Sequence, residues 1–400
     1  MIFLTHLPDF VKIVFKGLPS IWKSHHKLIF CWFIYLQAVT PNKKTIEELS
    51  RYSPARVTEW RLRRFVYATY LNIDMLISWF ASEAIKSFPP PKNGIVYAVG
   101  DSSEKHKRSK KNPTVQKGTK GKNKPFFWGI RFVVVALCWN VYRIPVAFRI
   151  ILPKDHKKYK NENKLFREMI SNLILPDWAH TVIVLGDSAY GSKDNIQLIQ
   201  KMNKEGHNNR KWFFVFSMAR TWKRTNGKSI KNFVTHLPRC LFKKTWIKHL
   251  FQQGRRKTFW VFSKVMSLNH IGDVTIVLSK NRRNAGPKNT KIIVTNLPAV
   301  NARDVLSVYQ RRWPIEIIFK ELKSGLGLGE HQVTKEEKRV KNSFGIAIIS
   351  YLFLLIANKE HIRPNQSWGI FQIQEKFRLK VILHQSRHSM NLEINRMKAA

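Results

Sequence analysis

Ile95-Val96-Tyr97-Ala98-Val99-Gly100-Asp101-Ser102 and Thr181-Val182-Ile183-Val184-Leu185-Gly186-Asp187-Ser188 are the two stretches on which the fold turns. Each runs an apolar segment into Gly-Asp-Ser. Each segment is too short for a helix and rich in β-branched residues, as a strand buried on both faces should be. A carboxylate at the end of such a strand sits at the rim of the core, where a sheet displays reactive groups. One Gly-Asp-Ser alone reads equally well as a turn. Acids, however, are scarce in this chain, with 25 Asp and Glu against 71 Lys and Arg. Two of them in the same setting point to divalent metal ions.

Four hundred residues suggest two or three structural units and enough chain to bury a large core. The 44% hydrophobic content and 13 Trp mean that most of the chain folds. The net charge of +46 is spread over the whole length. A folded chain this basic needs a polyanionic partner, and nucleic acid comes first. Its binding should weaken steeply with salt, because each neutralised phosphate releases counterions. An anionic membrane surface is the alternative polyanion. Cys31, Cys138 and Cys240 stand far apart, which argues against a zinc site or a disulfide framework and fits a reducing cytoplasm. Met1–Asp9 has no basic n-region and no small-residue cleavage site, so no signal peptide is expected. The apolar runs Leu28–Val39 and Phe344–Ala357 fall below the ~18–20 residues of a membrane span and read as buried helices.

Residues 1–90 read as a helical N-terminal DNA-binding domain. Within it, Thr45–Arg64 has the outline of a helix, a turn at Tyr52-Ser53-Pro54 and a basic second helix, a pattern that helix-turn-helix units share with small bundles. Pro89-Pro90-Pro91 is a stiff boundary. The α/β core is expected over 91–205 and 299–360, interrupted by a β-rich insertion at 206–298 that stands apart from the first sheet. A basic C-terminal tail, 361–400, shows only weak periodicity. Lys105–Lys124, nearly without apolar residues, is expected to be a mobile hairpin loop that orders on phosphate contact. Strands are expected over Phe126–Asn140 and Tyr142–Leu152, and an amphipathic helix over Asn163–Leu175 ended by Pro176. Further β-type runs are Trp212–Met218, Thr258–Met266, Val274–Ser279 and Lys291–Asn296. Helical patterning returns at Asn301, where Asn301 and Asp304 are placed to cap, and runs to about Lys323. A second helix is expected over Phe344–Asn358.

Metal-assisted phosphodiester chemistry with two cations about 3.5–4 Å apart needs more than two acids. The third candidate lies in Val308-Tyr309-Gln310-Arg311-Arg312-Trp313-Pro314-Ile315-Glu316-Ile317-Ile318-Phe319-Lys320-Glu321-Leu322-Lys323. On a continuous helix Tyr309, Arg312, Glu316, Lys320 and Lys323 share one face, and the apolar residues pack on the others. A lone carboxylate among cations suits a site where an acid grips metal and its neighbours grip phosphate. The same spacing also builds an ordinary solvated face. Pro314 is a natural start or kink, so the shared face is firmest from Glu316 onward. Glu321 and Glu330 are rival acids nearby.

Tyr309, Arg312, Glu316 and Lys323 fill the pattern Tyr-x2-Arg-x3-Glu-x6-Lys, which resembles the signature of DDE transposases of the insertion-sequence-four type. Gly100-Asp101-Ser102 and Gly186-Asp187-Ser188-Ala189-Tyr190-Gly191 are similar to that family's segments around its first and second catalytic Asp. The interval between Asp187 and Glu316 is wide enough for the β insertion of that group. The similarity covers roughly residues 92–335. It implies a ribonuclease H-like mixed sheet flanked by helices, with the two Asp-bearing strands adjacent and the Glu-bearing helix across them. It also implies that Asp101, Asp187 and Glu316 are catalytic and bind two Mg2+ ions, with Mn2+ as a substitute. Tyr309, Arg312, Lys323 and Tyr190 would hold DNA, and helix geometry adds Lys320. The implied activity is cut-and-paste transposition, with a hairpin intermediate and a flipped base stacked on a Trp of the insertion, here Trp246 or Trp260. The implied partners are double-stranded terminal inverted repeats and target DNA, bound by a homodimer in a prokaryotic, nucleoid-associated cytoplasmic setting, with no membrane. The alternatives are a nuclease of the same fold without strand transfer and an inactive DNA-binding relative.

Overall fold

The computed structural model describes residues 4, 6–16, 18, 23–68, 71–107, 112–119, 126–250, 254–331, 336–363, 366 and 368–399. The chain opens on α1 (Asp9–Phe15), α2 (Ser24–Val39), α3 (Ile46–Arg51), α4 (Glu59–Val66) and α5 (Ile73–Lys86). Thr45, Thr58 and Asn72 start the last three by accepting a backbone N–H three residues on, each cap contributing about 1 kcal/mol. The middle of α2 is apolar all round, so it is buried on every side rather than along a stripe.

Pro89–Pro91 then leads into β1 (Ile95–His106), β2 (Gln116–Thr119), β3 (Phe126–Trp139) and β4 (Tyr142–Ile151). These are followed by α6 (Glu162–Ser171), β5 (Thr181–Gly186), α7 (Lys193–Lys204) and β6 (Lys211–Ser217). β1 pairs antiparallel with β3 and parallel with β5, and β5 pairs parallel with β6. β4 closes the other side of β3. Both Gly-Asp-Ser segments therefore lie on neighbouring parallel strands at the centre of the sheet; the second ends β5, whereas β1 runs on past Asp101 to His106, paired with β3. The apolar parts of β1 and β5 are buried, as their unbroken hydrophobicity requires.

After α8 (Ile230–His236) come β7 (Lys243–Lys248), β8 (Arg256–Leu268), β9 (Gly272–Lys280) and β10 (Lys291–Thr295). They are not a module apart, as the composition of 206–298 suggested. Trp212–Met218 supplies β6, β10 pairs with β6, and β9, β8 and β7 follow in turn, so one sheet runs through core and insertion. The period-2 pattern that marks a strand carries no information about which edge it joins.

α9 (Ala302–Tyr309), α10 (Pro314–Lys320), α11 (Glu337–Ala357) and α12 (Ile370–Ala399) complete the chain. The turn before α10 meets β5, and α10 itself lies across β1, β3 and β4, whereas the resemblance implied a helix across both Asp-bearing strands. The Phe132 ring of β3 seats it, with centroids 5.7 Å from Phe319 of α10 and 5.3 Å from Phe344 of α11, each edge-on pair contributing about 0.5–1.5 kcal/mol beyond burial. α11 is longer than its apolar run suggested. Its 21 residues and mean hydropathy of 1.8 would suffice to cross a membrane, yet 89% of that window is buried here against α2, α5 and β4. The C-terminal segment is no loose tail. α12 packs on α2 and α11, and Gln374 and Arg378 donate to the carbonyls of Ala38, Val39 and Thr40 that end α2.

Of the basic tract Lys105–Lys124, residues 108–111 and 120–125 lie outside the described residues. Gln116–Thr119 forms β2 against the start of β3.

Candidate active site

Val99 pairs with Leu185 across the parallel β1–β5 ladder, so Asp101 and Asp187, each two residues further, stand at one level, Asp101 within β1 opposite Val134 of β3 and Asp187 just past the end of β5. Alternation along β1 decides the direction of Asp101. A Cβ on Gly100 would lie 2.1 Å from the Phe166 ring, so that position faces α6. Asp101 and Ser103 consequently face α10. Gly191 serves the second segment through a close approach: a Cβ there would meet the Ser217 carbonyl oxygen at 2.3 Å. Only glycine lets the turn after Asp187 pack onto the end of β6.

Asp101 Oδ1 accepts the Ser102 N–H at 2.8 Å, and Oδ2 accepts Arg312 Nη1 at 2.9 Å. The other amino group of Arg312 donates to Glu316 Oε1. One guanidinium thus joins the first and third acids. Burial first, and the neighbouring charges of Asp187 and Glu316 with it, push the Asp101 carboxyl up to about 6 against the pull of Ser102 and Arg312. Asp187 Oδ1 accepts the Ala189 N–H at 2.8 Å, a local turn that fixes its carboxylate. Asp101, Asp187 and Glu316 carry the hard oxygen donors that Mg2+ takes. Arg312 pairs with two of these acids, and among the described residues no group of three or more His, Cys, Asp or Glu side chains is placed to hold a metal ion.

The signature is not one continuous helix. α9 ends at Tyr309, a tight turn spans Gln310–Arg312, Pro314 opens α10, and the chain widens into a π turn at Glu321–Gly325. The break changes what each residue meets. Lys323 Nζ donates to Ser103 Oγ at 2.7 Å on the Asp101 face of β1, and burial lowers its pKa. Lys320 is exposed. Tyr309 is only 8% exposed, with Lys291 Nζ 4.5 Å from its ring centre, so it offers little surface to DNA. Tyr190 corrects its expected role outright. It is fully buried and packs on Phe166 at 4.6 Å, so it offers no exposed surface to DNA. The rival acids are committed elsewhere: Glu321 to a buried network with Arg143, Glu330 to Lys105 and the Lys44 N–H.

Neither Trp proposed for base stacking stands free. Trp246 carries Arg256 and Arg303 at 4.1 and 4.0 Å from its ring, and Trp260 carries Arg283 at 5.2 Å. The sequence reading missed Trp313, which lies inside the signature and is 51% exposed. It borders a cleft of about 640 Å³ with Phe259, Lys257, Lys291, Tyr309 and Arg312. Trp60 of α4 is likewise 63% exposed, with the Arg64 guanidinium 5.0 Å from its ring.

The sequence matches the family described as Transposase DDE domain over residues 105–353, a segment that contains Asp187 and Glu316 and begins just after Asp101. No curated protein matches it. Among solved structures it is similar to one described as the cryo-EM structure of piggyBac transposase synaptic complex with hairpin DNA. The TM-score is 0.44 and the identity 10%, over 93% of this chain and 75% of that chain.

Proposed function

The chain belongs to the Transposase DDE domain family, and from that premise we propose that it is a cut-and-paste DNA transposase of the insertion-sequence-four type. The observation that carries the reading is the level placement of Asp101 and Asp187 on adjacent strands, with Glu316 tied to Asp101 through Arg312. Asp101, Asp187 and Glu316 are the residues that would hold two divalent cations. Bound Mg2+ would activate water or a DNA 3′-hydroxyl and neutralise the departing oxygen.

The other residues position DNA. Arg312 and Lys323 grip phosphates next to the acids, and exposed Lys320 extends the same edge. The cleft beside Arg312 offers Phe259 and Trp313 as stacking surfaces for an unstacked base, where the hairpin route would need one. In the N-terminal unit, α4 presents Trp60, Arg61 and Arg64 outward, a basic aromatic face suited to the inverted repeat. The +46 charge supports a long DNA track shared by a homodimer, with strong salt dependence.

The test is Mg2+-dependent cleavage of a labelled duplex carrying the element's own flanking inverted repeat, with Asp187→Ala alongside. Cleavage at the repeat boundary followed by joining to a second duplex is expected from the wild type alone, and Asp187→Ala should keep its end affinity within about two-fold. Retained cleavage by that variant sinks the site assignment, and breaks without joined product would mark a nuclease.

A further inference from the structure

The Glu316-bearing helix is held at both ends, by Arg312 on Asp101 before its first turn and by a buried network after its last. At its start α10 has no side-chain cap and follows a tight turn whose Trp313 is exposed. Its far end runs into the π turn, where the Glu321 carboxylate and the closing carbonyls are tied down. Glu321 opens that turn and is 2% exposed. Its carboxylate accepts four hydrogen bonds: Arg143 Nη2 at 2.7 Å and Nε at 3.3 Å, Tyr351 Oη at 3.1 Å and the Ile370 N–H at 2.8 Å. Arg143, 3% exposed, also donates to the Trp368 carbonyl and lies 3.6 Å from the Trp368 ring centre. The carbonyls of Gly325 and Leu326, which the widened turn leaves over, accept from Gln374 and Gln37.

This network joins five elements that no sequence pattern links: β4 through Arg143, α11 through Tyr351, α12 through Ile370 and Gln374, α2 through Gln37, and the signature helix itself. Removing one partner of a buried ion pair leaves an uncompensated charge, which costs far more than an exposed pair contributes. π turns are rare, and they persist where the surroundings impose them, often beside functional sites.

We infer that Glu321 is a positioning residue for the cleavage site, through which Arg143 and the start of α12 set the placement of Glu316 and Lys323. The inference rests on the transposase reading for its catalytic consequence, and it gives the C-terminal segment a role in the reaction. It touches no reacting atom.

The test compares full-length wild type with Glu321→Gln, which keeps the side-chain shape and removes the charge. Three quantities are read well below the melting temperature of each: end affinity, single-turnover cleavage rate, and amide exchange over residues 314–326. The expected result is end affinity weakened no more than by Lys323→Ala, cleavage at least ten-fold slower, and exchange over 314–326 at least ten-fold faster with β1 and β5 unchanged. Faster exchange with undiminished cleavage would overturn the inference, since the network would then serve stability alone. Slower cleavage with unchanged exchange would overturn it as well. If Glu321→Gln does not fold, Tyr351→Phe removes a single hydrogen bond from the same carboxylate. It should give the same pattern at about three-fold, and wild-type values for it would be equally decisive. Failure of the wild type to cleave its own ends would overturn the transposase reading, while the exchange measurement would still judge the mechanical link.

Discussion

Arg312 donates to Asp101 across 2.9 Å, joining the signature segment to the first Gly-Asp-Ser strand. The same guanidinium reaches Glu316, so a single cation already balances two of the three acids. Under the proposed function, a DNA phosphate would compete with the carboxylates for this guanidinium, and Asp101 and Glu316 would then have free oxygens to hold a cation.

Arg312→Ala should therefore tighten Mn2+ binding to the DNA-free protein by about ten-fold, equivalent to about 1.4 kcal/mol, while weakening end binding. Isothermal titration with Mn2+ checks the first effect. An unchanged metal affinity would mean that Arg312 and the cation do not compete.

Lys323→Ala removes an ammonium held beside β1 by Ser103. A cation on phosphate should show itself in the salt dependence, and the slope of log Kd against log salt should fall by about 0.9. End affinity measured across a salt series decides this, and an identical slope would rule out a phosphate contact.

Lys44 offers a prediction about stability. It is 2% exposed, and its Nζ has no hydrogen-bond partner among the described residues. Burial lowers its pKa to about 7, helped by Arg378 and opposed by Glu330 and Glu48. The folded pKa is depressed below that of the unfolded chain, so between about pH 7 and 10 the unfolded state binds more protons and stability rises with pH. Lys44→Met should raise the unfolding free energy at pH 7 by about 1–3 kcal/mol and flatten that rise. Denaturant melts at pH 7 and pH 9.5 test both effects, and a less stable variant would show that the ammonium has a partner.

Gly100→Ala tests why glycine precedes the first acid. The added methyl would meet the Phe166 ring at 2.1 Å and should destabilise the fold by about 1–3 kcal/mol through overpacking. Adding Phe166→Leu makes room and should recover part of the loss in a thermal melt. A wild-type melting temperature for Gly100→Ala alone would contradict the packing account.

Strand and helix identities were readable wherever a local rule governs. The two Gly-Asp-Ser strands, the β-runs at Phe126–Asn140 and Tyr142–Leu152, and the Asn301 cap, which accepts the Asp304 N–H at 3.0 Å, follow from side-chain shape and nearest neighbours. Tyr190 shows where such rules stop. Its motif suggested a DNA contact, but whether a side chain meets solvent or Phe166 depends on an element twenty-odd positions away in sequence. Trp246 is similar: nothing local tells that Arg256 and Arg303 will lie over its ring.

Residue type and spacing by themselves determined the acids, their order, the basic character and the partner class. These depend on chemistry that each residue carries wherever it lies. Tertiary structure alone decided that the insertion extends the central sheet, that Arg312 bridges Asp101 and Glu316, and that Glu321 anchors the signature helix to β4 and α12. Each of those facts is a contact between groups distant in the chain. Such contacts form because burying a strand edge or a charge is tolerable only beside a partner that satisfies it. Which partner that is depends on how the whole chain packs.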